Sequence, residues 1–171
     1  EQANDILKKI LEDKTQEPMV RHEAAEALGA IATPESIEIL EKYLNDDVIE
    51  VAETCELALD RIKWFQLNPN FLNDSTNPYC SIDPAPPLET KDINELKTIL
   101  LDDQTSLFKR YRAMFALRNI GNDEALEALG LGLTCKSALF KHEIGFVLGQ
   151  MQNEKSVQVL RRSVENREEN E

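Results

Sequence analysis

Apolar residues recur three and four positions apart along most of the chain, and nowhere alternate long enough to make a strand. Residues 2–12 put Ile6, Leu7, Ile10 and Leu11 on one helical face. A second helix is predicted from Pro18, a residue at home in a first turn, with Val20, Ala24, Ala27, Leu28 and Ile31 as its apolar stripe. Thr33 before Pro34 reads as an N-cap opening a third helix through Ile37, Leu40 and Leu44, which Asn45-Asp46-Asp47 ends. A fourth runs from Val48 through Val51, Leu57, Leu59 and Ile62 toward Trp64. Further helices are predicted over 92–101, 111–119, 123–133, 138–151 and 154–165, before a polar tail, 167–171, expected to fray. The predicted class is all-α.

The helices repeat. Residues 20–31 align with 51–62, sharing Val20/Val51, Leu28/Leu59 and Ile31/Ile62; residues 109–120 align with 140–151, sharing Leu117/Leu148 and Ile120/Met151. Both intervals are 31 residues and hold a helix, a turn and a second helix, the arithmetic of an α-solenoid of stacked hairpins. The rhythm fails over 66–90, where five of the seven prolines lie, so an extended linker is expected there. Phe71 and Tyr79 suggest that it packs against the protein surface. Two partial lobes, 1–65 and 91–171, joined by linker 66–90, are the expected organisation. Asn73-Asp74-Ser75 has the form of a glycosylation sequon, read as accidental without a secretory signal.

Both histidines of the chain fall on the repeat, in VRHEAAEALGAI and FKHEIGFVLGQM. A basic residue precedes each His-Glu, a Leu stands six residues after each His, and a Gly follows it. With 21 Glu in 171 residues, two His-Glu pairs arise by chance about 1.5% of the time, before flanking matches count. At the same repeat positions the other copies carry Glu53-Thr54 and Tyr111-Arg112, so His-Glu is not something the repeat itself requires. Imidazole nitrogen with carboxylate oxygen suits Fe(II), Mn or Zn, but one pair cannot saturate a metal, and several helices must converge. Gly29 and Gly149, seven residues after each His, leave room for a ligand or for close helix approach. The plain alternative is a surface ion pair with the preceding base, Arg21 or Lys141. HExxH is absent, as are a Ser-His-Asp set, a Walker loop and a dinucleotide fingerprint.

A net charge of −13 argues against nucleic acid and suits a basic protein or cationic group as partner. No apolar run reaches the roughly 18 residues of a membrane span. Three cysteines without CxxC spacing, Cys55 and Cys135 in apolar helical contexts, fit buried reduced thiols and a reducing cytosol. A chain opening on Glu is expected to be a processed or excised piece.

Taken together, VRHEAAEALGAIA, RYRAMFALRN, NPYCSIDPAPP and LFKHEIGFVLGQMQ resemble the deoxyhypusine hydroxylase family of HEAT-repeat di-iron monooxygenases, across nearly the whole chain. The resemblance implies a cytoplasmic enzyme that uses O2 and two Fe(II) ions to hydroxylate deoxyhypusine on a translation initiation factor. It implies His22, Glu23, His142 and Glu143 as metal ligands, with Glu23 and Glu143 also catalytic through the substrate's amines. The family has four His-Glu motifs, two per lobe; His22 matches the second and His142 the third. The expectation is therefore a central fragment, each pair half of a different iron site, metal-poor and inactive alone, and able to self-associate through uncapped repeat ends. The rival expectation is a non-catalytic HEAT-repeat scaffold that binds a protein segment; a single-metal hydrolase is disfavoured because no lobe has a complete ligand set.

Overall fold

A computed structural model describes residues 2–71 and 77–166, and every regular element among them is helical. The helices are α1 (Gln2–Glu12), α2 (Pro18–Ile31), α3 (Pro34–Lys42), α4 (Ile49–Leu67), α5 (Ile93–Leu101), α6 (Leu107–Ile120), α7 (Asp123–Gly132), α8 (Ala138–Gln150) and α9 (Glu154–Glu165). They fall into two compact units, Glu1–Leu72 and Asn73–Glu171. The sequon at 73–75 and the polar tail lie outside the described residues.

Local chemistry sets the helix ends. Thr33 accepts the Ser36 N–H and Asp92 those of Asn94 and Glu95, while Ser106, Asn122, Ser137 and Asn153 cap α6 to α9 in the same way. At the other end, α2 and α6 stop on left-handed residues, Ala32 (φ 57°) and Gly121 (φ 68°), each donating its N–H to the carbonyl four residues back. Helix α4 continues through Gln66 and Leu67, where linker was expected. It ends only where Asn68 precedes Pro69, because a residue before proline is pushed out of helical geometry. Helix α3 ends at Lys42, leaving Leu44 in a turn.

In the first unit α2 packs on α1, α3 and α4, so that hairpins α1–α2 and α3–α4 stack. Leu11, Ala25, Leu28, Leu40, Val51 and Cys55 form the buried centre. Each such Leu contributes about 1.5–3 kcal/mol by leaving water. The expected apolar stripe of α2 is only half right: Val20 and Ile31 are exposed, while Arg21, His22 and Gly29 are buried. Arg21 and His22 thus take buried places beside the stripe, at positions the apolar pattern did not include.

In the second unit α6 packs on α5, α7 and α8, and α7 on α9, around Leu96, Leu100, Met114, Phe115, Leu129 and Ile144. The Pro-rich stretch belongs to this packing. Ala85 is fully buried, Leu88 donates its N–H to the Arg112 carbonyl, and the Arg112 side chain donates to the carbonyls of Pro86 and Pro87. Arg118, fully buried, chelates Asp83 through both terminal nitrogens and lies between the rings of Tyr79 and Phe115. The linker's surface contact was expected from Tyr79; the buried arginine that holds it was not. In the first unit, the Phe71 ring rests edge-on against Trp64, 4.7 Å between centroids.

Candidate functional site

Each His-Glu pair lies near the start of the second helix of a hairpin, α2 or α8. In α2, His22 is 2% exposed, and its Nδ1 lies 2.8 Å from Thr54 Oγ1 on α4. Glu23 projects outward, its side chain 63% exposed, with Oε1 3.8 Å from His22 Nε2. In α8 the assignment is inverted: His142 is exposed and Glu143 is 7% exposed.

The repeat explains the inversion. The His position faces the following hairpin: His22 reaches α4, and its counterpart Tyr111 on α6 stacks 5.1 Å from Phe140 on α8. The Glu position faces the preceding hairpin, as Thr54 on α4 shows by meeting His22 on α2. Hence Thr54 and Glu143, each with a hairpin before it in the same unit, are buried. Arg112 has the Pro-rich segment as its neighbour on that side instead.

The base before the first His-Glu, Arg21, does not pair with the motif as a surface cluster would. Arg21 turns inward, only 2% exposed, donating from Nε to the Leu11 carbonyl at 2.9 Å and forking onto both oxygens of Asp46. That guanidinium, together with the Val48 N–H, holds the Asp46 carboxyl below the usual carboxylate range. Arg110 repeats the device in the second unit, donating to the Leu100 carbonyl at 2.9 Å and pairing with Asp103. With the base so engaged, His22 and Glu23 are left to face each other.

The two glycines serve different ends. A Cβ on Gly29 would sit 2.5 Å from the Cβ of Ala58, so Gly29 exists for close approach of α2 and α4. A Cβ on Gly149 would meet nothing within 4 Å. Cys55 is buried, and desolvation pushes its thiol up to about 12. Cys135 lies in the bend after α7 rather than in a helix, half-buried, and Cys80 is exposed.

Arg21, Arg118 and Thr54 escaped the sequence reading. A signal was available for the last. Thr54 stands at the Glu position of its repeat, one hairpin on from His22.

These observations define first a class: stacked helical hairpins carrying His-Glu pairs at one repeat position. Residues 1–60 match the family model of HEAT repeats and residues 109–134 that of the PBS lyase HEAT-like repeat. The chain is 56% identical to the deoxyhypusine hydroxylase of Danio rerio over 99% of its own length and 56% of that protein. It is equally identical to that of Homo sapiens over 92% of its length and 52% of the relative. A solved structure of human deoxyhypusine hydroxylase in complex with glycerol matches with a TM-score of 0.94 at 53% identity, covering 99% of this chain and 58% of that one. The chain belongs to the deoxyhypusine hydroxylase family, and spans about half the length of the curated relatives it matches. No described helix is long and apolar enough to cross a membrane.

Proposed function

We propose that the chain supplies iron ligands of a cytoplasmic deoxyhypusine monooxygenase, these being His22, Glu23, His142 and Glu143. The observation that carries the reading is the restriction of His-Glu to two helices of a repeat that elsewhere folds with Glu53-Thr54 and Tyr111-Arg112. The donor geometry fits. Two ligand atoms on one ion at about 2 Å lie roughly 3–4 Å apart, and His22 Nε2 and Glu23 Oε1 are separated by 3.8 Å. Imidazole with carboxylate is a donor set suited to Fe(II), which when bound supplies the one-electron chemistry with O2 that protein side chains lack.

The reaction proposed inserts one atom of O2 into a C–H bond of the deoxyhypusine side chain on a translation initiation factor. The second oxygen atom leaves as water, with two electrons and two protons drawn from an external reductant. In this chain Glu23, with its side chain largely in solvent, offers a carboxylate to the substrate's ammonium groups. Glu143, nearly enclosed, offers one of stronger field because little water screens it. The net charge of −13 draws a polycationic side chain and a basic substrate loop toward the protein.

The test is anaerobic titration of the chain with Fe(II), followed by iron analysis, for wild type and for H22A, E23A, H142A and E143A. Each substitution should weaken binding by more than the roughly 10–100-fold typical of changes outside the ligand shell. Unchanged iron affinity in all four variants would sink the reading.

A further inference from the structure

Two hydrogen bonds at the Thr54 hydroxyl dictate which nitrogen of its neighbour carries the proton. Its hydroxyl oxygen lies 2.6 Å from the carbonyl of Glu50, one turn back on α4, and 2.8 Å from His22 Nδ1 on α2. A carbonyl can only accept, so the single hydroxyl proton of Thr54 goes to Glu50. The bond to His22 must then run the other way, with Nδ1–H donating and Thr54 Oγ1 accepting. Neutral His22 is therefore the Nδ1–H tautomer, and its lone pair resides on Nε2, the nitrogen 3.8 Å from Glu23 Oε1.

We infer that Thr54 is a positioning residue: it fixes the tautomer and ring orientation of His22 so that Nε2 is presented as the metal-binding atom. This rests on the reading of His22 as a ligand and deepens it. Burial strengthens the device. Thr54 is 1% exposed and His22 2%, so water does not compete for either bond, and an incorrectly protonated ring would set two acceptors against each other. The repeat makes it specific as well. Thr54 occupies the Glu position of its own hairpin, so one hairpin provides the ligand and the next provides the group that aims it.

The experiment compares the full 171-residue chain with T54V and T54S. Long-range ¹H–¹⁵N NMR of the metal-free protein at neutral pH reports which His22 nitrogen carries the proton. Wild type and T54S should show Nδ1–H; T54V, similar in shape but without the acceptor, should lose that preference. Anaerobic Fe(II) titration should then give affinities about 10–100-fold weaker for T54V and near wild type for T54S. A wild-type spectrum with the proton on Nε2 overturns the inference without recourse to any variant, as does a T54V spectrum unchanged from wild type. If the tautomer follows Thr54 but iron affinity depends on neither Thr54 nor His22, the hydrogen bond stands while the metal-ligand reading falls.

Discussion

The two His-Glu helices share one short motif and bury opposite halves of it. On α2 the histidine is enclosed and the glutamate reaches water; on α8 the glutamate is enclosed and the histidine is exposed. The cause is stacking order. A His at this repeat position is covered by the hairpin that follows in its unit, and a Glu by the hairpin that precedes. Helix α2 has α4 after it, whereas α8 has α6 before it. A motif in a solenoid therefore takes its environment from its neighbours rather than from its own residues.

The largest effects should come from the arginines that precede the motif position. Removing Arg21 as R21A leaves Asp46, with a side chain only 1% exposed, as an uncompensated buried charge, a loss of about 3–5 kcal/mol in urea unfolding. The matched R110A should cost less, about 1–3 kcal/mol, because the side chain of its partner Asp103 is 29% exposed. Equal losses would show that the two units do not differ as their burial implies. The same pair makes the first unit sensitive to acid. Asp46 is depressed in the folded state, so the unfolded chain takes up the proton first. The stabilisation is complete above about pH 4 and disappears as pH falls from there through the folded value. Urea titrations at a series of pH values should show that dependence shrinking in D46N.

Next come the glycines, where matched substitutions should have opposite signs. G29A forces α2 and α4 apart at Ala58 and should destabilise by about 1–3 kcal/mol. G149A meets open space and should stabilise by about 0.5–1 kcal/mol through helix propensity. Thermal melts decide both, and two losses of equal size would refute the asymmetry. The left-handed caps give a similar contrast. A32G relieves a side chain held at φ 57° and should gain about 1 kcal/mol, while G121A at φ 68° should lose as much.

The smallest effects are chemical and leave stability unaltered. Mass-mapped acylation should modify the exposed His142 faster than the buried His22. Among the thiols, Cys80 should react first and Cys55 last at pH 8, since Cys55 is buried and its thiol is pushed up to about 12. Faster acylation of His22 would contradict the stacking rule.

Local patterns along the chain specify the helical class, the 31-residue repeat and most helix starts, and they single out His22-Glu23 and His142-Glu143. Those features are written in local periodicity, in cap residues such as Thr33 and Asp92, and in the exceptions to a repeat. Residues that act across a gap were not legible. Arg21, Arg110 and Arg118 look like surface charges in any window of sequence, yet each is buried because a carbonyl or carboxylate distant in the chain satisfies it. Thr54 likewise reads as a missing glutamate until α4 is laid against α2. Only then does its hydroxyl meet His22, because a hydrogen bond between residues 32 apart depends on where two helices touch, and that contact is set by the close approach of Gly29 and Ala58.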